Sequence, residues 1–233
     1  MRKTLLSLSL TALLTPLSAN ASSINGLGIG INYGAFSGPA LEISYPITET
    51  LQLRGALSSG MNVSETESTD GVDYDVSANG GINRLALDYH PFNNGFFLSA
   101  GYAINNFALD ADGDVADTET VTIGDTDYTA TSAAKLNGNL DWDNAPTLSI
   151  GWGHSPSEGL GFLIEVGAYF TGAPDVSLNG SGTVSDGTTT FDVSDEIADE
   201  ITDDIRAEEK NLQDDVGDYD LLPMLQAGIT YRF

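Results

Sequence analysis

Six ionisable side chains, Glu42, Arg54, Arg84, Asp88, Glu165 and Arg232, stand inside stretches where large apolar residues alternate with small or polar ones. All six fall on the polar parity and none on the apolar one. Carboxylates and guanidinium groups confined to one face can pair, line a path for ions, or supply acid–base chemistry. Other reactive types are scarce. The absence of cysteine excludes a disulfide scaffold, a thiolate zinc site, an iron–sulfur cluster and a cysteine nucleophile. Two histidines, His90 and His154, leave little material for a histidine metal site. There is no G-x-S-x-G elbow, and no glycine-rich phosphate loop follows a strand. Asp110-Ala111-Asp112-Gly113-Asp114 begins like a calcium loop but lacks the full ligand spacing and the closing glutamate, so it reads as a turn. Neither a cofactor nor a metal is expected.

The elements that must position the six charges are strands, because the alternation has a period of two. It runs through Leu27–Gly34, Leu41–Tyr45, Leu51–Leu57, Arg84–His90, Phe96–Ile104, Leu148–Trp152, Phe162–Phe170 and Leu225–Phe233, eight segments in all. Pro46–Thr50, Pro91–Gly95 and His154–Gly159 are short and rich in turn formers. Segments 61–79, 108–141 and 172–217 are long, and Gly34–Pro39 belongs with them by position. The two classes interleave, so long loops share one end of the sheet and tight turns the other. An even strand count puts both termini at the turn end, as in outer-membrane barrels.

Charge placement separates a membrane barrel from a soluble secreted sandwich, which also alternates. A lipid-facing Arg or Lys near the bilayer centre costs ~2–4 kcal/mol, so the apolar parity should be free of charge, as it is. Aromatics cluster at the strand ends. Tyr45, Tyr89, Phe96, Trp152, Phe162, Tyr231 and Phe233 would gird the turn end, and Tyr33, Trp142, Phe170 and Tyr219 the loop end. The expected fold is an all-β, eight-stranded antiparallel transmembrane β-barrel with long acidic extracellular loops and a short loop helix.

Residues 1–21 read as a cleaved signal peptide, with Arg2 and Lys3, an apolar core from Leu5 to Leu14, and Ala19-Asn20-Ala21 at the cleavage site. The domain is then 22–233, and the expected location is the outer membrane of a Gram-negative bacterium. The terminal Phe233 reads as the signal for the barrel assembly machinery. Formal net charge is −26 over 233 residues, which disfavours nucleic acid as a partner.

Within a barrel this narrow, side chains can fill the lumen. Three inward acids and three inward bases can form a salt-bridged plug, or line a narrow polar path that the same network gates. Most of the acid lies in the long loops, with 13 acidic residues in 172–217 alone. A negative mouth attracts cationic solutes, or divalent cations that bridge loops to lipopolysaccharide; general surface acidity for a salty habitat explains the same composition. Ser194 with Ile197, Ile201 and Ile205 predicts an amphipathic helix over 194–212, and Val63–Val76 and Val121–Thr129 predict strands beyond the membrane. Some small outer-membrane barrels carry a Ser/His/acid set at the outer face. Both histidines here sit at the opposite end, so enzymatic activity is not expected.

Glu165–Leu178 (EVGAYFTGAPDVSL) resembles the penultimate strand and following loop of the CarO family, the carbapenem-resistance-associated or ornithine-uptake porins. The resemblance extends to Leu140–Trp152 (LDWDNAPTLSIGW), to Gly95–Asp110 and to Tyr219–Phe233. It implies an eight-stranded barrel with an elaborate external cap and a role in passing small basic amino acids. No substrate-contact residue is carried over from it. The expected function is a monomeric, narrow diffusion path favouring cationic solutes. The alternative is a plugged structural or surface-recognition barrel whose acidic loops bind divalent cations, lipopolysaccharide or a partner.

Overall fold

The computed structural model describes residues 26–69, 72–124, 126–153, 158–193 and 199–233. The leader at 1–21, His154, Ser194 and Ile197 lie outside the described residues.

From the N-terminus the chain runs through β1 (Gly28–Gly34), β2 (Gly38–Pro46), β3 (Leu51–Ser58), β4 (Met61–Thr69), β5 (Val72–Gly80) and β6 (Ile82–Tyr89). Then come β7 (Phe96–Asn105), β8 (Ala108–Val115), β9 (Thr120–Ile123), β10 (Thr126–Ala130), β11 (Ala134–Asp141) and β12 (Ala145–Trp152). Last are β13 (Gly159–Tyr169), β14 (Asp175–Ser181), β15 (Thr183–Ser185), β16 (Thr190–Asp192), α1 (Asp199–Val216) and β17 (Leu222–Arg232).

Eight strands close an antiparallel barrel in the order β1, β17, β13, β12, β7, β6, β3, β2. Its seam is the pairing of β1 with β17, from Gly28 opposite Arg232 to Gly34 opposite Gln226. Phe233 extends the seam, its N–H donating to the Leu27 carbonyl while its own carbonyl accepts from Gly26. Burial alternates along the wall strands; in β2, from Gly38 to Tyr45, every second residue is buried and the others exposed. The buried set includes the six charged residues, and the exposed set includes Ile31, Leu41, Leu57, Leu85, Ile150, Phe162 and Leu225. The apolar parity therefore points outward. A soluble sandwich would turn it inward.

Beyond the rim, β14, β11, β8, β5 and β4 form a five-stranded sheet in that order. Each is the chain neighbour of β13, β12, β7, β6 or β3, which stand in the same order in the barrel. The cap sheet is thus one side of the barrel wall carried upward. A second sheet, β16, β15, β10, β9, and helix α1 fold against it. Between them lies a separate core with Val115, Tyr128, Val184 and Ile201 at its centre. The bend from wall to cap uses Gly60 and Gly80 at φ +78° and +79°, a conformation that side chains with a Cβ resist.

Three expectations change in detail. Asp110–Asp114 is the middle of β8 and not a turn, because alternation with Ala111 and Gly113 puts its three aspartates on one sheet face. Helix α1 runs to Val216, four residues past the expected end. Trp142 does not join an outward girdle; it is half-buried beside Phe107, ring centroids 5.5 Å apart. Its carbonyl accepts from the Asn105 amide at 2.7 Å, which holds the chain across the mouth.

Candidate functional site

The barrel interior is built in three levels. Toward the loop end, Ile82, Ala103, Tyr169, Leu222 and Met224 make an apolar plug, with Phe107 and Trp142 packed above. Toward the turn end, His90 is buried, its Nδ1 2.9 Å from the Asn94 carbonyl oxygen and its ring 5.7 Å from Phe97. Between them sits the charged level.

Arg54 organises that level. Its Nε and Nη2 donate to the two oxygens of Asp88, both at 2.8 Å, a bidentate fork. Its Nη1 reaches Glu165 Oε2 at 2.6 Å and stands 3.5 Å from Glu42 Oε2. Arg84 Nη2 donates to the same Glu165 oxygen at 2.8 Å, and its Nη1 lies 2.7 Å from Met224 Sδ. Ser149 and Gln226 also donate to Glu165, Gln52 donates to Asp88, and Asn32 donates to Glu42. The Arg54 guanidinium lies over the Phe97 ring, 5.2 Å from its centroid.

Five of the six charges are therefore brought together: two guanidinium groups among three carboxylates. Arg232 lies apart, at the turn end, donating to the Gly26 carbonyl at 2.8 Å and to the Gln52 side-chain oxygen. The charged level is sealed from solvent, with Asp88 and Glu165 0% exposed and Arg54 1%. Phe97 and Leu163, also buried, narrow it further. Neither residue stands out in the sequence. The signal was parity alone: Phe97 shares its face with Ser99, and Leu163 with Glu165.

Such a site is suited to holding strands together and excluding water. Two buried wall atoms, Asn32 Oδ1 and Thr147 Oγ1, have no hydrogen-bond partner among the described residues. No set of three His, Cys, Asp or Glu side chains among the described residues is placed to hold a metal ion.

The cap presents a different chemistry. Cross-strand partners on an antiparallel sheet share a face, so the registers give the five-stranded sheet one polar face and one apolar face. Asp75, Asp112, Asn137 and Asn179 form one polar row, and Asp110 and Asn139 stand in the next. Asp110 accepts from Asn79 at 2.8 Å and from Asn139 at 2.7 Å, and Lys135 pairs with Asp114 at 2.8 Å. Tyr74, Gly113 and Leu136, with Ala111, Gly138 and Leu178, make the apolar face. Helix α1 lies against this face and along the free edge of β14. There Glu209 accepts the Leu178 N–H at 3.0 Å, and Gln213 accepts the Val176 N–H at 2.9 Å. Asp204 accepts from the Tyr128 hydroxyl at 2.8 Å, fixing the helix to the second sheet.

No protein-family model matches the chain, and no curated protein matches it. Among solved structures it is similar to the crystal structure of Acinetobacter baumannii CarO, at 22% identity and a TM-score of 0.55, covering 90% of this chain and 98% of that one. It is likewise similar to that of Acinetobacter baumannii CarO2, at 22% identity and a TM-score of 0.57, covering 90% and 99%. At that identity the likeness is one of fold, and it runs over nine-tenths of the chain.

Proposed function

We propose that the chain is a monomeric outer-membrane β-barrel of a Gram-negative bacterium whose lumen is sealed by the Arg54 network and whose acidic cap faces outward and does the recognising. The single observation that carries this reading is the burial of Arg54, Asp88 and Glu165 in mutual contact across the lumen. The membrane part rests on the outward apolar belt. Contiguous exposed apolar surface of this extent marks a membrane or protein interface, and a closed barrel leaves no unpaired edge for lipid to meet. A signal peptide at 1–21 delivers the chain, and Phe233 at the seam serves the assembly machinery. Lipopolysaccharide and divalent cations are the natural neighbours of a cap this rich in aspartate. Catalysis forms no part of this reading.

A second reading, a narrow path favouring small cationic solutes such as basic amino acids, is favoured by Asn32 Oδ1 and Thr147 Oγ1. Unpartnered polar atoms on a lumen wall are places for water. The excess of carboxylate over guanidinium in the network would select cations.

Trp152 tests the membrane seat, because it points outward at the turn end. In Trp142→Phe protein reconstituted in vesicles, lipids brominated on the acyl chain should quench its fluorescence. Emission unchanged by brominated lipid would contradict the membrane reading.

A further inference from the structure

Between α1 and the apolar face of the cap sheet lies a cleft of about 290 Å³. Its walls are Leu136 and Leu178 from the sheet and Ile205 and Leu212 from the helix. Its floor is Gly138, where a Cβ would meet only Leu178 Cδ2 at 3.3 Å and the Ala111 carbonyl oxygen at 3.9 Å, so the space above β11 is left open by the missing side chain. A dry apolar cavity of ~150 Å³ holds a benzene ring, so this one has room for a ring with a short tail.

One charged group lines it. Glu208 is half-buried at the helix side of the cleft, and among the described residues its side chain has no hydrogen bond or ion pair. The cations nearest in sequence are not its partners: Lys210 pairs with Asp214 at 3.1 Å, and Arg206 is exposed. A carboxylate on the wall of an apolar cleft can pair with a cation held there, and an acidic cap raises the local concentration of cations around it. Thr122, Asn137 and Asn179 also line the cleft, and mainly apolar walls with a few polar groups are the usual form of a small-molecule site.

We infer that this cleft binds a small organic cation, an aryl- or alkylammonium whose apolar body packs on Leu136, Leu178, Ile205 and Leu212 while its ammonium group pairs with Glu208. The inference rests on the reading of the cap as the recognising part. It concerns a different place from the barrel interior.

The test uses the full mature chain in lipid nanodiscs, with empty nanodiscs subtracted, and 2-phenylethylammonium as the probe. By titration calorimetry it should bind at least tenfold more tightly than 2-phenylethanol or 3-phenylpropionate. Gly138→Val fills the floor and Leu212→Trp blocks the cleft from the helix side; each should weaken amine binding at least tenfold with the cap still folded by circular dichroism. Glu208→Gln should bring the amine within twofold of the alcohol. Equal binding of the amine to wild type and to both filled variants would place it on the acidic surface at large and overturn the site. So would the absence of binding at millimolar amine to folded wild-type protein. Flux measured on the same preparation separates the two readings: a sealed barrel that ignores the amine removes only this site, whereas a conducting barrel removes the sealed-lumen reading.

Discussion

Arg54 and Glu165, 111 residues apart in the chain, meet at 2.6 Å in the middle of the barrel. One lies on β3 and the other on β13, strands that are not neighbours in the wall, so the contact crosses the lumen. It ties opposite sides of the sheet together and closes the space between them.

Removing one partner of a buried ion pair strands the other, at ~3–5 kcal/mol. Arg54→Gln leaves Asp88, Glu165 and Glu42 without their shared counter-ion and should cost about that much. Arg84→Gln should cost about half, since Glu165 keeps Arg54, Ser149 and Gln226. Urea midpoints of the two variants in vesicles check the order. Equal losses would mean that Arg54 is not the organising group.

The joint between wall and cap depends on Gly80. Its φ is +79°, and a Cβ there would lie 1.7 Å from the Asn106 carbonyl oxygen. Gly80→Ala should therefore destabilise the cap by at least ~1–3 kcal/mol. The expected result is protease cleavage in the cap segments 61–80 and 108–141 with the barrel strands left intact; a cap as resistant as wild type would contradict it.

Much of this arrangement was legible in the residues. Period-two alternation with every charge on one parity located the eight wall strands and the inward faces of Glu42, Arg54, Arg84, Asp88, Glu165 and Arg232. What parity does not carry is height along the barrel. Arg232 shares its face with Gln226 and Met224 but sits at the turn end, where it reaches the network through Gln52 and not by a direct ion pair, and only register fixes that. The cap was harder to read. Asp110–Asp114 carries five turn-forming or small residues, and local propensity favours a turn; pairing with β5 on one side and β11 on the other overrides it. The cover over β14 depends on Glu209 and Gln213, spaced four apart on α1, and their partners are backbone groups that leave no trace in side-chain pattern.

That cover protects an edge strand, which would otherwise offer unpaired N–H groups to another chain. In Glu209→Ala and Gln213→Ala protein, the Leu178 and Val176 amides should lose hydrogen-exchange protection while those of β11 keep it. Unchanged protection at both amides would show that the helix side chains do not satisfy the edge.

Asp75 and Asp112 stand directly opposite each other on β5 and β8. Like charges at such a pair destabilise by ~0.2–1 kcal/mol. Asp112→Asn should raise cap stability by about that amount, and 1 M salt, with a screening length of ~3 Å, should raise wild-type stability and shrink the variant's advantage. A variant less stable than wild type at low salt would contradict this, and thermal melts at both salt concentrations decide it.

Whether the charged level is sealed is decided by solute flux. Mature protein refolded into liposomes, with its folded state checked by resistance to detergent at room temperature, is compared with empty liposomes for uptake of ornithine, arginine and glutamate. A sealed barrel gives uptake at the empty-liposome rate for all three, and uptake that appears once Arg54 is replaced by alanine. Wild-type protein that admits ornithine or arginine faster than glutamate, with the difference shrinking as salt rises, would contradict the sealed lumen and establish the narrow cationic path.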